Sequence, residues 1–277
     1  MGELTDGVAA MLQFVKLGGS LITDKARAYT ARQEVIQRLA DEVHHSLDAD
    51  PDMRLLMGHG SGSFGHWAAE PYQTHEGVRT AAEWRGYAEV AAAAARLNRL
   101  VADAFLGAGV PVVSLQPSAS ARCDDGELVY LHTRPIHEAL ARGLVPLVYG
   151  DVAFDDVRGG TIASTEDLFV YLADELLPHR VLLLSRVPGV LDSDGEIIPQ
   201  LTPADMPRVR QALSGSWAVD VTGGMVDKVE TMLRLVQRHP QTTVDILSGT
   251  HPGLLTRSLL DPELAAGTRI CSAAPER

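Results

Sequence analysis

Three short segments of the chain combine glycines with cations in a spacing that suits phosphate. The first is Lys16-Leu17-Gly18-Gly19-Ser20, with Lys25 a little beyond it. Adjacent glycines let a backbone come close to an anion, and successive N–H groups form a concavity that holds one. Lys16 and Lys25 are both placed to reach into that space, although the same residues alone would also make a plain turn flanked by solvated lysines. The second segment is Gly58-His59-Gly60-Ser61-Gly62-Ser63-Phe64-Gly65-His66. It supplies N–H groups, two hydroxyls and a terminal imidazole. Gly60, Gly62 and Gly65 also satisfy the dinucleotide pattern GxGxxG, which keeps a hydride-transferring enzyme among the readings. It is not a P-loop, which needs GxxxxGK[ST], nor a GxSxG nucleophile elbow. His66 reads as a phosphate ligand or as a structural histidine. The third segment is Asp220-Val221-Thr222-Gly223-Gly224-Met225, followed by Lys228. A glycine pair opening a helix aims N–H groups and the positive end of the dipole at an anion, with Lys228 on the first turn. A lysine merely covering the helix surface is the plainer alternative.

Other constellations fail. His137-Glu138 lacks the second histidine of a zinc-protease helix, and His44-His45 reads as a solvated helix face. The two cysteines, Cys123 and Cys271, lie far apart without metal-ligand spacing and read as reduced thiols rather than a disulfide.

These turns need a frame that makes them converge. Apolar runs such as Arg54 to Met57, Val112 to Leu115, Leu144 to Tyr149, Val181 to Leu184 and Thr243 to Leu247 alternate with helical stretches. The helices cover Ala31 to Leu47, Ala81 to Leu106 (read as more than one segment), Ile136 to Ala141, Glu166 to Leu177 and Val226 to Arg238. Strands apolar on both faces, alternating with helices, predict an α/β fold around a mainly parallel sheet, with ligands beyond the carboxyl ends of the strands. The chain has 277 residues, of which 45% are hydrophobic and 22% charged, enough for one large domain or two joined lobes. A net charge of −12 without a basic patch argues against nucleic acid or an anionic membrane as partner. The first ten residues are no signal peptide and no run is long enough to span a membrane, so a cytoplasmic protein is expected.

In order along the chain, KLGGSLITDK at 16–25, HGSGSFGH at 59–66, SLQPSA at 114–119, VPLVYGDV at 145–152 and DVTGGMVDK at 220–228 resemble the amino acid kinase superfamily. Within it they are similar to the isopentenyl phosphate kinases. The resemblance implies a three-layer αβα sandwich, an acceptor-binding lobe over about 11–178 and a nucleotide-binding lobe over about 179–277. It also implies a homodimer that uses ATP with Mg²⁺ and takes isopentenyl phosphate as acceptor. Carried over by position, Lys16, Gly18, Gly19 and Ser20 cradle the ATP phosphates, with Gly62 between the two substrates. Gly224 and Lys228 lie on the donor side, and Ser185 and Arg186 near the nucleotide. Ser61, through its N–H, and His66 bind the acceptor phosphate. Lys25 and Lys228 stabilise the transferred group, Asp151 orients Lys16, and Thr165 falls where the family has a glycine touching the acceptor phosphate.

Three departures accompany the resemblance. Ser61 replaces a loop glycine; Ser164-Thr165-Glu166-Asp167 stands for an SGDD segment; and Ser185-Arg186-Val187-Pro188-Gly189 stands for TDVDG. A fosfomycin-type phosphonate kinase is the nearest alternative, followed by a dinucleotide-dependent oxidoreductase and a phosphate sensor without catalysis. A phosphate-monoester acceptor is mostly ionised at neutral pH, so it needs no general base. Positioning and charge stabilisation then carry the reaction. Trp84 and Tyr87 are candidate walls for an apolar tail.

Overall fold

The computed structural model describes residues 11–213 and 224–273. The first strands are β1 (Leu12–Leu17), β2 (Arg54–His59), β3 (Val112–Ser114), β4 (Arg122–Asp124), β5 (Glu127–Tyr130) and β6 (Val145–Tyr149). After them come β7 (Asp151–Asp155), β8 (Gly159–Ala163), β9 (Arg180–Ser185), β10 (Gln200–Leu201), β11 (Thr243–Ser248) and β12 (Thr268–Ile270). Between them run helices α1 (Gly19–Ile22), α2 (Gln33–Ala49), α3 (Gly62–Ala69), α4 (Ala81–Gly107) and α5 (Arg134–Leu140). The remaining helices are α6 (Thr165–Leu176), α7 (Met206–Leu213), α8 (Gly224–Arg238) and α9 (Leu254–Leu260).

Eight strands form one sheet in the order β10-β12-β11-β9-β1-β2-β6-β3. Its central pairs, β11–β9, β9–β1, β1–β2, β2–β6 and β6–β3, are all parallel. Each strand feeds one core on each face. On one side Val15, Leu17, Leu55, Met57 and Leu182 pack with α2 and α4 residues such as Leu39, Leu97 and Phe105. On the other, Phe14, Leu56, Val181 and Leu183 pack with Phe169 and Leu172 of α6 and Met232 and Val236 of α8. The result is the expected three-layer αβα arrangement. Helix α4 is continuous from Ala81 to Gly107, which corrects the division into segments read from the sequence. A capping box of Thr80 with Glu83 starts it, and its alanines keep the helix uninterrupted while contributing to the core through Ala93.

The sequence reading missed a second sheet, β5-β4-β7-β8. Gly150 is the point where the chain leaves the main sheet after β6 and enters the small one at β7. The exposed face of that sheet carries Phe154, which lies within 5.3 Å of the Tyr87 ring and 5.9 Å of Trp84, centroid to centroid.

Candidate active site

Because β1, β2, β6, β9 and β11 are parallel, their carboxyl ends share one edge, and the glycine turns that follow them meet there. The β1–α1 and β2–α3 loops interlock backbone against backbone. A Cβ on Gly19 would stand 2.5 Å from the Gly62 nitrogen, and one on Gly18 would stand 2.6 Å from the Leu184 carbonyl oxygen of β9. Gly62 has φ +51°, and a side chain there would meet Thr23 at 2.2 Å. The Thr23 hydroxyl ties the two loops: it donates to the Gly19 carbonyl at 2.7 Å and accepts from the Ser63 N–H at 2.9 Å. Among the described residues, the N–H groups of Gly19, Ser20, Ser61 and Gly62 have no acceptor within the protein. Unsatisfied N–H groups at two helix starts, held side by side, suit a polyanion.

Lys16, only 5% exposed, is the penultimate residue of β1 beside this space and forms an ion pair with the buried Glu166 of α6. A capping box of Ser164 with Asp167 starts α6 and fixes the first turn that carries Glu166. Burial pushes the Lys16 ammonium below the ordinary lysine range, with Glu166 opposing and Lys228 adding to the fall. Burial raises the Glu166 carboxyl, but Lys16 and Lys228 together outweigh it and hold that acid below its usual value. One buried carboxylate thus feels two lysines, Lys16 through an ion pair and Lys228 through its charge alone. This corrects the role given to Asp151, which does not touch Lys16. Burial pushes Asp151 up, and it accepts from the N–H groups of Ser118 at 3.2 Å and Val152 at 2.9 Å. The reason is topological: Asp151 has already entered the small sheet, whereas Glu166 projects from the helix start.

Thr165, at the start of α6, is buried and its hydroxyl donates to the His59 carbonyl at 2.7 Å. His66 is exposed on α3, four residues after Gly62 and therefore on the same face of that helix as Gly62. Lys25 is exposed on a surface loop closed by the Thr23–Ala31 bridge, and is not brought into the Lys16 cluster. Ser185 ends β9 with its hydroxyl on the Val187 carbonyl at 2.8 Å, and Arg186 projects into solvent. Gly224 opens α8, which carries Lys228; Asp220 to Gly223 lie outside the described residues.

Sequence reasoning missed Glu166 as the partner of Lys16, although the Ser164-x-x-Asp167 spacing does announce a helix start. It also missed Phe154, for which no local signal exists.

A model of the amino acid kinase family matches residues 11–246. The chain belongs to that family. Among its relatives, the isopentenyl phosphate kinase of Haloferax volcanii is 39% identical over 254 residues, covering 89% of this chain and 98% of the relative. That of Methanocaldococcus jannaschii is 34% identical over 226 residues, covering 79% and 86%. A crystal structure of an isopentenyl phosphate kinase superposes with a TM-score of 0.78 at 30% identity, covering 94% of this chain and 99% of that one. With relatives that are kinases, the oxidoreductase reading of GxGxxG falls away. In this amino acid kinase the β2 loop packs against the β1 loop and presents its N–H groups next to two lysines.

Proposed function

We propose that the protein is an isopentenyl phosphate kinase, which moves the γ-phosphoryl group of ATP onto the phosphate of isopentenyl phosphate. The product is isopentenyl diphosphate. The observation that carries this reading is the interlock of two glycine loops beside the Lys16–Glu166–Lys228 cluster, in a chain with near-full-length relatives of that name. The lobe up to about 178 takes the acceptor and the lobe from about 179 takes the nucleotide. One sheet runs through both.

In this reading Lys16 and the N–H groups of Gly18, Gly19 and Ser20 border the donor phosphates, although the Gly18 N–H already donates to Leu184 and only the other two are free. Gly62 separates donor from acceptor. The Ser61 N–H and His66 hold the acceptor phosphate, one of whose oxygens attacks the γ-phosphorus as the bond to ADP breaks. That oxygen is already ionised near neutral pH, so no proton has to be removed by a base. Lys16 and Lys228 face the charge that spreads over the transferred group. Lys25 joins them only if its loop brings it inward. Mg²⁺ arrives with the nucleotide, ligated by phosphates and water; among the described residues no group of three or more His, Cys, Asp or Glu side chains could hold a metal. Trp84, Tyr87 and Phe154 form an aromatic cluster, with Trp84 and Tyr87 5.4 Å apart, suited to an apolar tail. A cytoplasmic homodimer completes the proposal. Its support is the family resemblance, two free cysteines and the lack, among the described residues, of any helix long and apolar enough to cross a membrane.

Purified protein with ATP, Mg²⁺ and isopentenyl phosphate should release ADP and give the two coupled ³¹P signals of a diphosphate. ATP consumption with fosfomycin and none with isopentenyl phosphate would move the assignment to the phosphonate kinase.

A further inference from the structure

His59 is fully buried at the end of β2, and the mechanism above makes no use of it. Its surroundings define every hydrogen-bond role. One ring nitrogen, Nδ1, lies 3.1 Å from the Gly60 carbonyl oxygen, which can only accept, so Nδ1 carries the proton. The other, Nε2, then accepts from the Asn98 side-chain amide at 3.1 Å. The Asn98 oxygen in turn accepts from the Ser114 hydroxyl. The imidazole stacks on Tyr149 with centroids 5.5 Å apart and planes 5° from parallel. Burial, opposed by the Gly60 contact and reinforced by nearby Lys16, pushes its pKa down to about 4, so the ring is neutral at pH 7.

The backbone around His59 is clamped as tightly. Its carbonyl accepts from the Gly150 N–H at 3.1 Å and from the Thr165 hydroxyl at 2.7 Å. The next N–H, that of Gly60, donates to Leu17 at 3.0 Å. The Gly60 carbonyl is then held inward by the imidazole. A trans peptide is planar, with its C=O and N–H pointing in opposite directions. Turning the Gly60 oxygen toward the buried ring therefore turns the Ser61 N–H away from it, to the edge where the strands end. That N–H has no acceptor among the described residues. Neighbouring glycines make this peptide easy to flip, so something must hold it.

We propose that His59 is a positioning residue: its Nδ1–H holds the Gly60 carbonyl so that the Ser61 N–H is presented to the acceptor's phosphate. The proposal rests on the acceptor assignment made above. His66 lies on the surface and meets the ligand directly, whereas His59 acts through the peptide plane.

The test uses three variants of the whole protein. In His59→Asn the amide nitrogen takes the place of Nδ1, one bond beyond Cγ; His59→Gln reaches toward the Nε2 position instead, and His59→Leu donates nothing. Isopentenyl phosphate binding without ATP should weaken about ten- to a hundredfold in the Gln and Leu variants, the range for one hydrogen bond to a charged group. ATP binding should stay within about threefold. His59→Asn should recover most acceptor binding although it leaves the Asn98 amide nitrogen unpartnered and melts no higher than the Gln variant. Acceptor losses that rank with melting temperature, or that ATP binding shares, would overturn the positioning role. So would wild-type affinity in all three.

Should the variants not fold, the wild-type protein answers by ¹⁵N NMR. His59 should be the neutral Nδ1–H tautomer, and the Ser61 amide should shift on adding isopentenyl phosphate. A protonated Nε2 or an unmoved Ser61 amide overturns the proposal. A Ser61 amide that responds to inorganic phosphate in a protein that neither binds nor phosphorylates isopentenyl phosphate leaves the positioning intact and removes the acceptor assignment.

Discussion

Strands β1 and β2 lie side by side, with Leu17 paired to His59 and Lys16 to Gly58, and each delivers a buried polar side chain to the same edge. At β1 that side chain is a cation, Lys16, tolerated in the interior because Glu166 neutralises it. At β2 it is a neutral imidazole whose hydrogen bonds are all internal. The two solve different problems. A polyphosphate donor needs countercharge, and a buried charge needs a partner. A monophosphate can be held by oriented N–H groups and a histidine, so the residue beneath that loop need only keep a peptide plane in place. Charge is thus concentrated on the β1 side and geometry on the β2 side.

Removing the charge should give the largest effect. Lys16→Ala is expected to lower kcat about a hundred- to a thousandfold and to weaken ATP binding. Glu166→Ala, which strands a buried ammonium, should lower unfolding stability by about 3–5 kcal/mol. Unchanged ATP affinity in Lys16→Ala would dissolve the contrast between the strands.

The neutral side has its own signature in stability against pH. The His59 pKa is about 4 when folded and near 6.5 when unfolded. Between those values the unfolded chain binds a proton that the native state refuses, so stability falls as the pH is lowered from 6.5 toward 4. The full loss is about 3 kcal/mol. Glu166, held below its ordinary 4.5, destabilises only at lower pH still, so the upper part of the window belongs to His59. Denaturant titrations of His59→Asn from pH 7 to 4.5 should give a flatter profile than the wild type; an equally steep one would mean that other groups set the slope.

Lys228→Ala should reduce turnover about a hundredfold with the KM for isopentenyl phosphate within about threefold, because in the proposed reaction its charge is used as the phosphoryl group moves. A collapsed acceptor affinity with intact kcat would transfer Lys228 to the acceptor side. His66→Ala should lose about ten- to a hundredfold in kcat/KM, and His66→Gln, which keeps a donor but no titrating proton, should retain part of the activity. Gln as inactive as Ala, in folded protein, would point to proton transfer instead.

The smallest effect concerns the acceptor's tail. Phe154→Ala or Trp84→Ala, at rings only partly covered, should change affinity for isopentenyl phosphate by no more than about tenfold. Both should raise the relative rate with longer prenyl monophosphates. An unaltered chain-length preference would place the pocket elsewhere.

The alternation of apolar runs and helical stretches determined the layers, because strands covered on both faces and amphipathic helices have few other ways to bury their surfaces. The glycine pairs, Lys16, His66 and Lys228 stand out locally as candidates, since close backbone approach and cation placement leave a mark in residue type. What only the tertiary structure decided is which groups meet. Glu166 rather than Asp151 reaches Lys16, because the chain switches sheets at Gly150 and carries Asp151 away while the Ser164 cap turns Glu166 inward. The hydroxyl of Thr165 is taken up by the His59 carbonyl, and the ring of His59 by Gly60 and Asn98. Such pairings join residues as far apart as His59 and Thr165, and no local pattern encodes a contact made only when distant strands have taken their register.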